Sequence, residues 1–339
     1  MSQDSVQKAS HSAMRKIKNY RRFHGYDYSR GANLFLTCSL KPRRPLMARI
    51  EGDRALLTPV GEEVARCLAV ELDKMPQLVL MAKVIMHDHI HLLVHLRAGE
   101  REPLKILGRF MQNFKRWAKY YARKRPGAAD FGWELNYHDR ICVSREIADR
   151  AAKYIANNPL KWTLMHGDQP MLRVVEPLED ARIPNDEWWS GVGAVELLRG
   201  RIAAVRLSTK IREAEFKAVV SRCLSATEKG YVLAGTFISP CEQRLWREIV
   251  ARGLPVIKMI PDELATVYRP KDDEPRMFAE GRYLLLSRLA AKTGRRFDAW
   301  HGINAALAGL AVKDGVSLYV HRAGEREPLQ WDFEAEERA

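Results

Sequence analysis

The stretch Met86-His87-Asp88-His89-Ile90-His91-Leu92-Leu93-Val94 decides how the first half of this chain is read. Val84, Met86, Ile90, Leu92, Val94 and Leu96 share one parity, with Asp88 as the polar exception, while His87, His89, His91 and His95 share the other. A period of two is the signature of a strand with one buried face, so the spacing predicts a strand that turns several imidazoles the same way. Residues i and i+2 on such a face lie roughly 6.5–7 Å apart at a rise of ~3.3 Å per residue. His89 and His91 can therefore converge on one small cation. The plainer alternative is a polar, solvated sheet face, and one His-x-His pair does not separate the two.

Working outward, apolar runs at 33–40 and 78–84 predict further strands, and the second runs into the histidine stretch so that the two could form one long strand. Thr58 is a cap candidate, Pro59 sits at a first helical position, and Val60, Val64, Cys67 and Leu68 recur on one face, which predicts a helix packed on the sheet. Between Pro103 and Ala129 stand Lys105, Arg109, Lys115, Arg116, Lys119, Arg123, Lys124 and Arg125 with no Asp or Glu. Leu107, Met111, Phe114, Ala118 and Tyr121 make a helical core stripe there, leaving Lys105, Arg109, Arg116 and Arg123 on other faces. Solvated helix faces ordinarily mix charge signs. Trp117 and Tyr120 add stacking surfaces for unpaired bases, and Arg123-Lys124-Arg125-Pro126-Gly127 ends the helix. Lys105, Arg109, Lys115, Arg116, Trp117, Lys119 and Arg123 are thus candidate DNA contacts, together with Tyr20, Arg21 and Arg22 nearer the N-terminus. Further on, Ser144 is an N-cap candidate for a helix ending near Tyr154-Ile155-Ala156-Asn157-Asn158-Pro159.

A length of 339 residues suggests two domains. The net charge of +14, from 56 Lys+Arg against 42 Asp+Glu, favours a polyanionic partner, because Lys and Arg release counterions from a nucleic-acid backbone. An anionic membrane surface is the competing partner, but no run of 18 apolar residues occurs and the N-terminus lacks an apolar signal core. The expected location is cytoplasmic, with no membrane. Five scattered cysteines without C-x-x-C spacing argue against a disulfide framework and against a structural zinc.

The expected division is a disordered arm at 1–16, a first domain at 17–165, a proline-punctuated linker at 166–194 and a second domain at 195–339. In the last, strands at 201–206, 230–236, 255–259, 282–286 and 316–320 alternate with helices at 210–224, 239–252 and 297–313. That alternation implies an open, mostly parallel α/β sheet with Rossmann-like winding. Gly191-Val192-Gly193 reads as turn chemistry, because a lone G-x-G is weak. The octapeptide Arg-Ala-Gly-Glu-Arg-Glu-Pro-Leu occurs at 97–104 and again at 322–329, and two copies do not make a solenoid.

His89-Ile90-His91 after Met86, with Tyr154-Ile155-x-x-Asn158-Pro159, resembles the single-tyrosine HUH transposases, and more narrowly the REP-associated tyrosine transposases. Gly25-Tyr26-Asp27-Tyr28-Ser29, Trp133 and Asn136-Tyr137-His138-Asp139-Arg140 extend the likeness over roughly residues 17–165. The resemblance implies an α+β HUH domain, an antiparallel sheet with packed helices of ferredoxin or RRM type. It implies a metal-dependent single-stranded DNA endonuclease and strand transferase, with Tyr154 as nucleophile and a 5′-phosphotyrosine intermediate. Phenolate both attacks and leaves more readily than an alkoxide. His89 and His91 would hold the metal, and Asn158, one helical turn beyond Tyr154, matches the family's third ligand. Two imidazoles and an amide suit Mg²⁺ or Mn²⁺ better than zinc. The partner would be single-stranded or hairpin DNA and the protein a monomer or homodimer. The sequence departs from the family in having His87-Asp88 before the first ligand, which makes His87 a rival ligand, and in Glu134 after Trp133. Tyr120, Tyr121 and Tyr137 are rival nucleophiles. Two other functions stay open: a catalytically inactive single-stranded DNA-binding protein, and a replication-initiator or relaxase-type nickase. The second domain faintly resembles the DNA-processing A and LOG group.

Overall fold

The computed structural model describes residues 26–167, 170–179, 189–207, 211–288 and 319–320. Tyr20, Arg21, Arg22, the 1–16 arm, the expected 297–313 helix and the second copy of the octapeptide lie outside them. The chain divides into two compact units, Met1–Thr163 and Leu164–Ala339.

In the first unit, β1 (Ala32–Ser39), β4 (Leu78–Ile85), β5 (His89–Leu96) and β6 (His138–Cys142) form an antiparallel sheet in the order β4-β5-β1-β6. A small hairpin, β2 (Ala48–Glu51) with β3 (Arg54–Leu57), lies apart from it and was not expected. The runs at 78–84 and 86–94, which could have formed one long strand, make a hairpin. Ile85 pairs with Ile90, and the Met86 N–H donates to the His89 carbonyl at 2.8 Å, so 86–88 is the turn and the histidine strand begins at His89. The register of β4 shifts between Leu80 and Ala82. One inserted residue reverses the side-chain alternation. Across the hairpin turn Val84 pairs with His91, so Val84, expected beside Ile90, stands on the histidine face with Ala82.

One face of the two central strands, β1 and β5, is apolar. Leu34 and Leu36 of β1 join Ile90, Leu92, Val94 and Leu96 of β5 in a core that also takes in helices α1 (Pro59–Asp73) and α2 (Pro103–Ala122). Helix α1 starts as expected, with the Thr58 hydroxyl accepting from the Gly61 N–H and Pro59 in the first turn. Helix α2 buries Leu107, Phe110, Met111, Phe114, Ala118 and Ala122. Tyr121, placed in that stripe by its spacing, is half-buried at the edge, and Phe110 fills the core.

Helix α3 (Arg145–His166) packs on the other face, where Ala148 and Ile155 meet Leu93, Cys142, Phe35 and Val84. Ser144 caps it, accepting from the Ile147 N–H at 3.3 Å. The helix was expected to end near Pro159, yet it runs through that proline to His166. Pro159 removes the N–H that would bond the Ile155 carbonyl, at a cost of about 3 kcal/mol. Burial of Leu160 and Leu164 beyond it offsets that cost.

In the second unit, β8 (Arg201–Arg206), β9 (Tyr231–Gly235), β10 (Val256–Ile260) and β11 (Tyr283–Arg288) are parallel neighbours in chain order. β12 (Tyr319–Val320) joins β8 in parallel, and β7 (Trp189–Gly193) adds antiparallel to β11. Helices α4 (Glu213–Glu228), α5 (Pro240–Arg252) and α6 (Glu274–Ala279) stand between the strands in sequence. A mostly parallel α/β sheet was expected, but the end of the stretch read as linker supplies one of its strands. Gly191-Val192-Gly193 is not a turn: it lies in β7, and Gly193 takes φ +109 where a Cβ would stand 2.2 Å from the Tyr283 carbonyl oxygen. Only glycine permits that approach. Among the described residues, no helix is long and apolar enough to cross a membrane.

Candidate active site

The face of the first sheet under α3 carries the histidines. β1 and β5 pair Ser39 with His89, Thr37 with His91 and Asn33 with His95. Each imidazole finds a nearby polar partner through Nδ1: His89 with Asp88 Oδ1 at 2.6 Å, His91 with Thr37 Oγ1 at 2.8 Å, His95 with Asn33 Oδ1 at 2.8 Å. The Asp88 carboxylate can only accept, so His89 donates to it from Nδ1. The Thr37 hydroxyl satisfies either tautomer of His91.

The rings of His89 and His91 lie 4.7 Å apart, and those of His87 and His89 6.2 Å. His91 is 6% exposed, so this is no solvated face. Burial, then the charges of His89 and Arg43, push the His91 imidazole down to about 3, against an opposing pull from Asp88. It is neutral at physiological pH, the form that ligates metals. Burial alone would raise the Asp88 carboxyl, but its hydrogen bonds with His89 and Arg43 outweigh burial and hold it well below the usual carboxylate range. His87 joins the group, with Nε2 3.4 Å from Asp88 Oδ1 and its ring 5.2 Å from that of Trp162.

Helix α3 brings Tyr154 onto this cluster. Its ring centroid is 5.4 Å from that of His91 and 5.8 Å from that of Phe35, and the Lys161 ammonium stands 5.6 Å from the tyrosine ring. Asn158, one turn further, is 7% exposed. Tyr120 and Tyr121 belong to α2 and Tyr137 packs on the core of the opposite face. Two imidazoles with fixed Nδ1 partners and a buried amide on the covering helix fit a hard divalent cation in donor type. Among the described residues, no group of three or more His, Cys, Asp or Glu is gathered to hold a metal ion, and the third donor expected here, Asn158, is an amide.

The basic helix lies elsewhere. Its buried residues belong to the apolar core, so α2 and the histidine cluster occupy opposite faces of one sheet. Arg109, Arg116 and Lys119 are exposed, while Lys105 is hydrogen-bonded to Glu102. Lys115 turns inward, its ammonium donating to the carbonyls of Glu134, Leu135 and Asn136 at 2.6, 3.0 and 3.3 Å, and burial lowers its pKa. Arg123 donates from Nε to the Phe131 carbonyl at 2.8 Å. The aromatic faces already carry cations: Arg116 lies 4.7 Å from the Trp117 ring and Lys124 4.2 Å from the Tyr120 ring.

Several residues at the cluster were not singled out from the sequence. Asn33, Phe35, Thr37 and Ser39 alternate along β1 against Leu34, Leu36 and Cys38, and that parity could have found them. Asp88 was seen as an interruption of the apolar parity and as part of a departure from the family pattern, not as the partner of His89. Arg43 sits in a proline-rich turn that carries no periodic signal.

No family model matches the chain. An uncharacterized protein of Haemophilus influenzae is 25% identical over 158 residues, covering 42% of this chain and 87% of that protein. Among solved structures, the chain is similar to a REP-associated tyrosine transposase bound to a REP hairpin, with a TM-score of 0.31 and 18% identity over 44% of this chain and 75% of that one. It is also similar to DNA processing protein A of Helicobacter pylori, described for its single-stranded DNA binding mode, with a TM-score of 0.31 and 14% identity over 45% of this chain and 83% of that one. At those scores neither likeness bears on the chemistry.

Proposed function

We propose that the first unit is a DNA nicking and joining enzyme of the transposase type, in which Tyr154 attacks a phosphodiester of single-stranded DNA. The carrying observation is that the Tyr154 ring rests on His91, 5.4 Å between centroids, with His89 4.7 Å beyond on the same sheet face. In the reaction, Tyr154 loses its proton, its oxygen bonds phosphorus, and the P–O3′ bond breaks. The departing 3′ oxygen takes up a proton, leaving a free 3′-OH and a 5′-phosphotyrosine. Rejoining reverses each step, so no hydrolysis is needed.

His89 and His91 would hold Mg²⁺ or Mn²⁺, with Asn158 as third donor. Such an ion, when bound, offsets charge on the non-bridging phosphate oxygens and aligns the phosphate. Asp88 and Thr37 orient the two imidazoles, as outer partners of metal-bound histidines do. The exposed cations Arg109, Arg116 and Lys119 on α2 would contact the backbone of a second DNA segment, since the helix lies on the far face. Net charge +14 supports a polyanionic partner.

The test uses 5′- and 3′-labelled single strands, with and without hairpins, incubated with Mg²⁺ or Mn²⁺ and run on denaturing gels. Wild type should give a protein–DNA adduct on the 5′ end of the cut, and Tyr154→Phe none, with DNA binding retained. Strong binding without an adduct from any strand would favour the inactive single-stranded DNA-binding protein.

A further inference from the structure

We propose that Arg43 is a phosphate clamp of this site, its guanidinium gripping a non-bridging oxygen of the DNA strand that reaches His89 and Tyr154. The inference deepens the reading above and rests on it for the identity of the ligand.

Arg43 follows β1, whose last residue, Ser39, pairs with His89. Its Nη1 donates to Asp88 Oδ2 at 3.0 Å and its Nη2 to Ser39 Oγ at 2.9 Å, while Nε stands 3.8 Å from Glu134 Oε1. The other Asp88 oxygen takes His89 Nδ1 at 2.6 Å. One carboxylate therefore joins guanidinium and imidazole, and Arg43 stands one residue from the candidate ligand. Glu134 is itself fixed there, because its N–H donates to the Ser39 carbonyl at 2.8 Å.

Two facts speak against a purely structural role. An arginine has five N–H donors in a rigid plane, and the two bonds to Asp88 and Ser39 leave others available. The side chain is 55% exposed against 13% for Asp88, so more than half of it is open to solvent at the rim of the cluster. A guanidinium already held by two hydrogen bonds, with N–H groups to spare, receives a phosphate oxygen with little further loss of freedom. Arg44 is the internal control: it lies in the same turn, but its Nη1 bonds Asp130.

The test measures the dissociation constant for a short thymidylate strand in EDTA across a KCl series, in full-length protein carrying Tyr154→Phe. Adding Arg43→Ala should weaken binding and flatten the slope of log K against log salt by about 0.7, the share of one phosphate contact on a single strand. Arg43→Gln, which keeps a donor for Asp88, should flatten it equally and covers the case where alanine disturbs folding. Arg43→Lys should keep the slope, and Arg44→Ala should leave it as it was. An unchanged slope in the Ala and Gln variants overturns the clamp, whether or not the wild type cuts DNA. If the slope depends on Arg43 yet wild type forms no phosphotyrosine, the clamp stands and the nicking activity falls.

Discussion

The two faces of the four-stranded sheet are built from the same strands and obey different rules. On one face Leu34, Leu36, Ile90, Leu92, Val94 and Leu96 of the two central strands are buried by two helices. On the other, Phe35 and Leu93 share space with Asn33, Thr37, His89, His91 and His95, and one helix brings a tyrosine to them. The first face gains stability by removing apolar area from water. The second buries polar groups and must satisfy each of them, which is why every histidine of β5 has a partner across or beside the strand. Stability and chemistry are separated by one residue of register.

The sharpest way to break that comparison is a pair of substitutions. Tyr154→Phe should abolish the covalent adduct while the melting temperature stays where it was, because only a hydroxyl is removed. Phe114→Ala, in the apolar face, should cost about 3–5 kcal/mol and lower the melting temperature by on the order of 10 °C. If the tyrosine variant melts early or the phenylalanine variant melts normally, the two faces are not divided in this way.

Much of this division was legible in the sequence. Period-two patterning gave β5 and its imidazole parity, and acid-free spacing gave α2. Three physical features hid the rest. The hairpin turn after Ile85 set Val84 opposite His91, and the shift between Leu80 and Ala82 is a bulge that leaves no mark on composition. Pro159 reads as a helix end because it lacks an N–H, yet burial of Leu160 carries the helix on. Arg43 reaches Asp88 from a turn, through a contact between residues 45 apart in the chain. At Lys115 the charge was visible but its direction was not, since one side chain holding three carbonyls follows from tertiary packing.

Smaller effects sharpen the account. Lys115→Met should destabilise by about 1.5–3 kcal/mol, the range for hydrogen bonds involving a charged group, and should speed amide exchange in 134–137 without altering the salt slope of DNA binding. An altered slope would make Lys115 a DNA contact after all. Arg116→Ala should instead leave stability nearly unchanged and lower the salt slope by about 0.7 on a single strand, while Tyr154 still forms its adduct. Ser144→Ala, which removes the cap of the covering helix, should cost about 1 kcal/mol and show in chemical denaturation as an earlier midpoint at constant slope.

The most direct measurement is mass spectrometry of the trapped adduct after trypsin and nuclease digestion. Cleavage after Lys153 and Lys161 isolates residues 154–161, with Tyr154 as their only tyrosine. That peptide should carry the added 5′-nucleotide mass in wild type and lose it in Tyr154→Phe. Nucleotide mass on a peptide holding Tyr120, Tyr121 or Tyr137, or an undiminished adduct in the phenylalanine variant, would contradict the assignment.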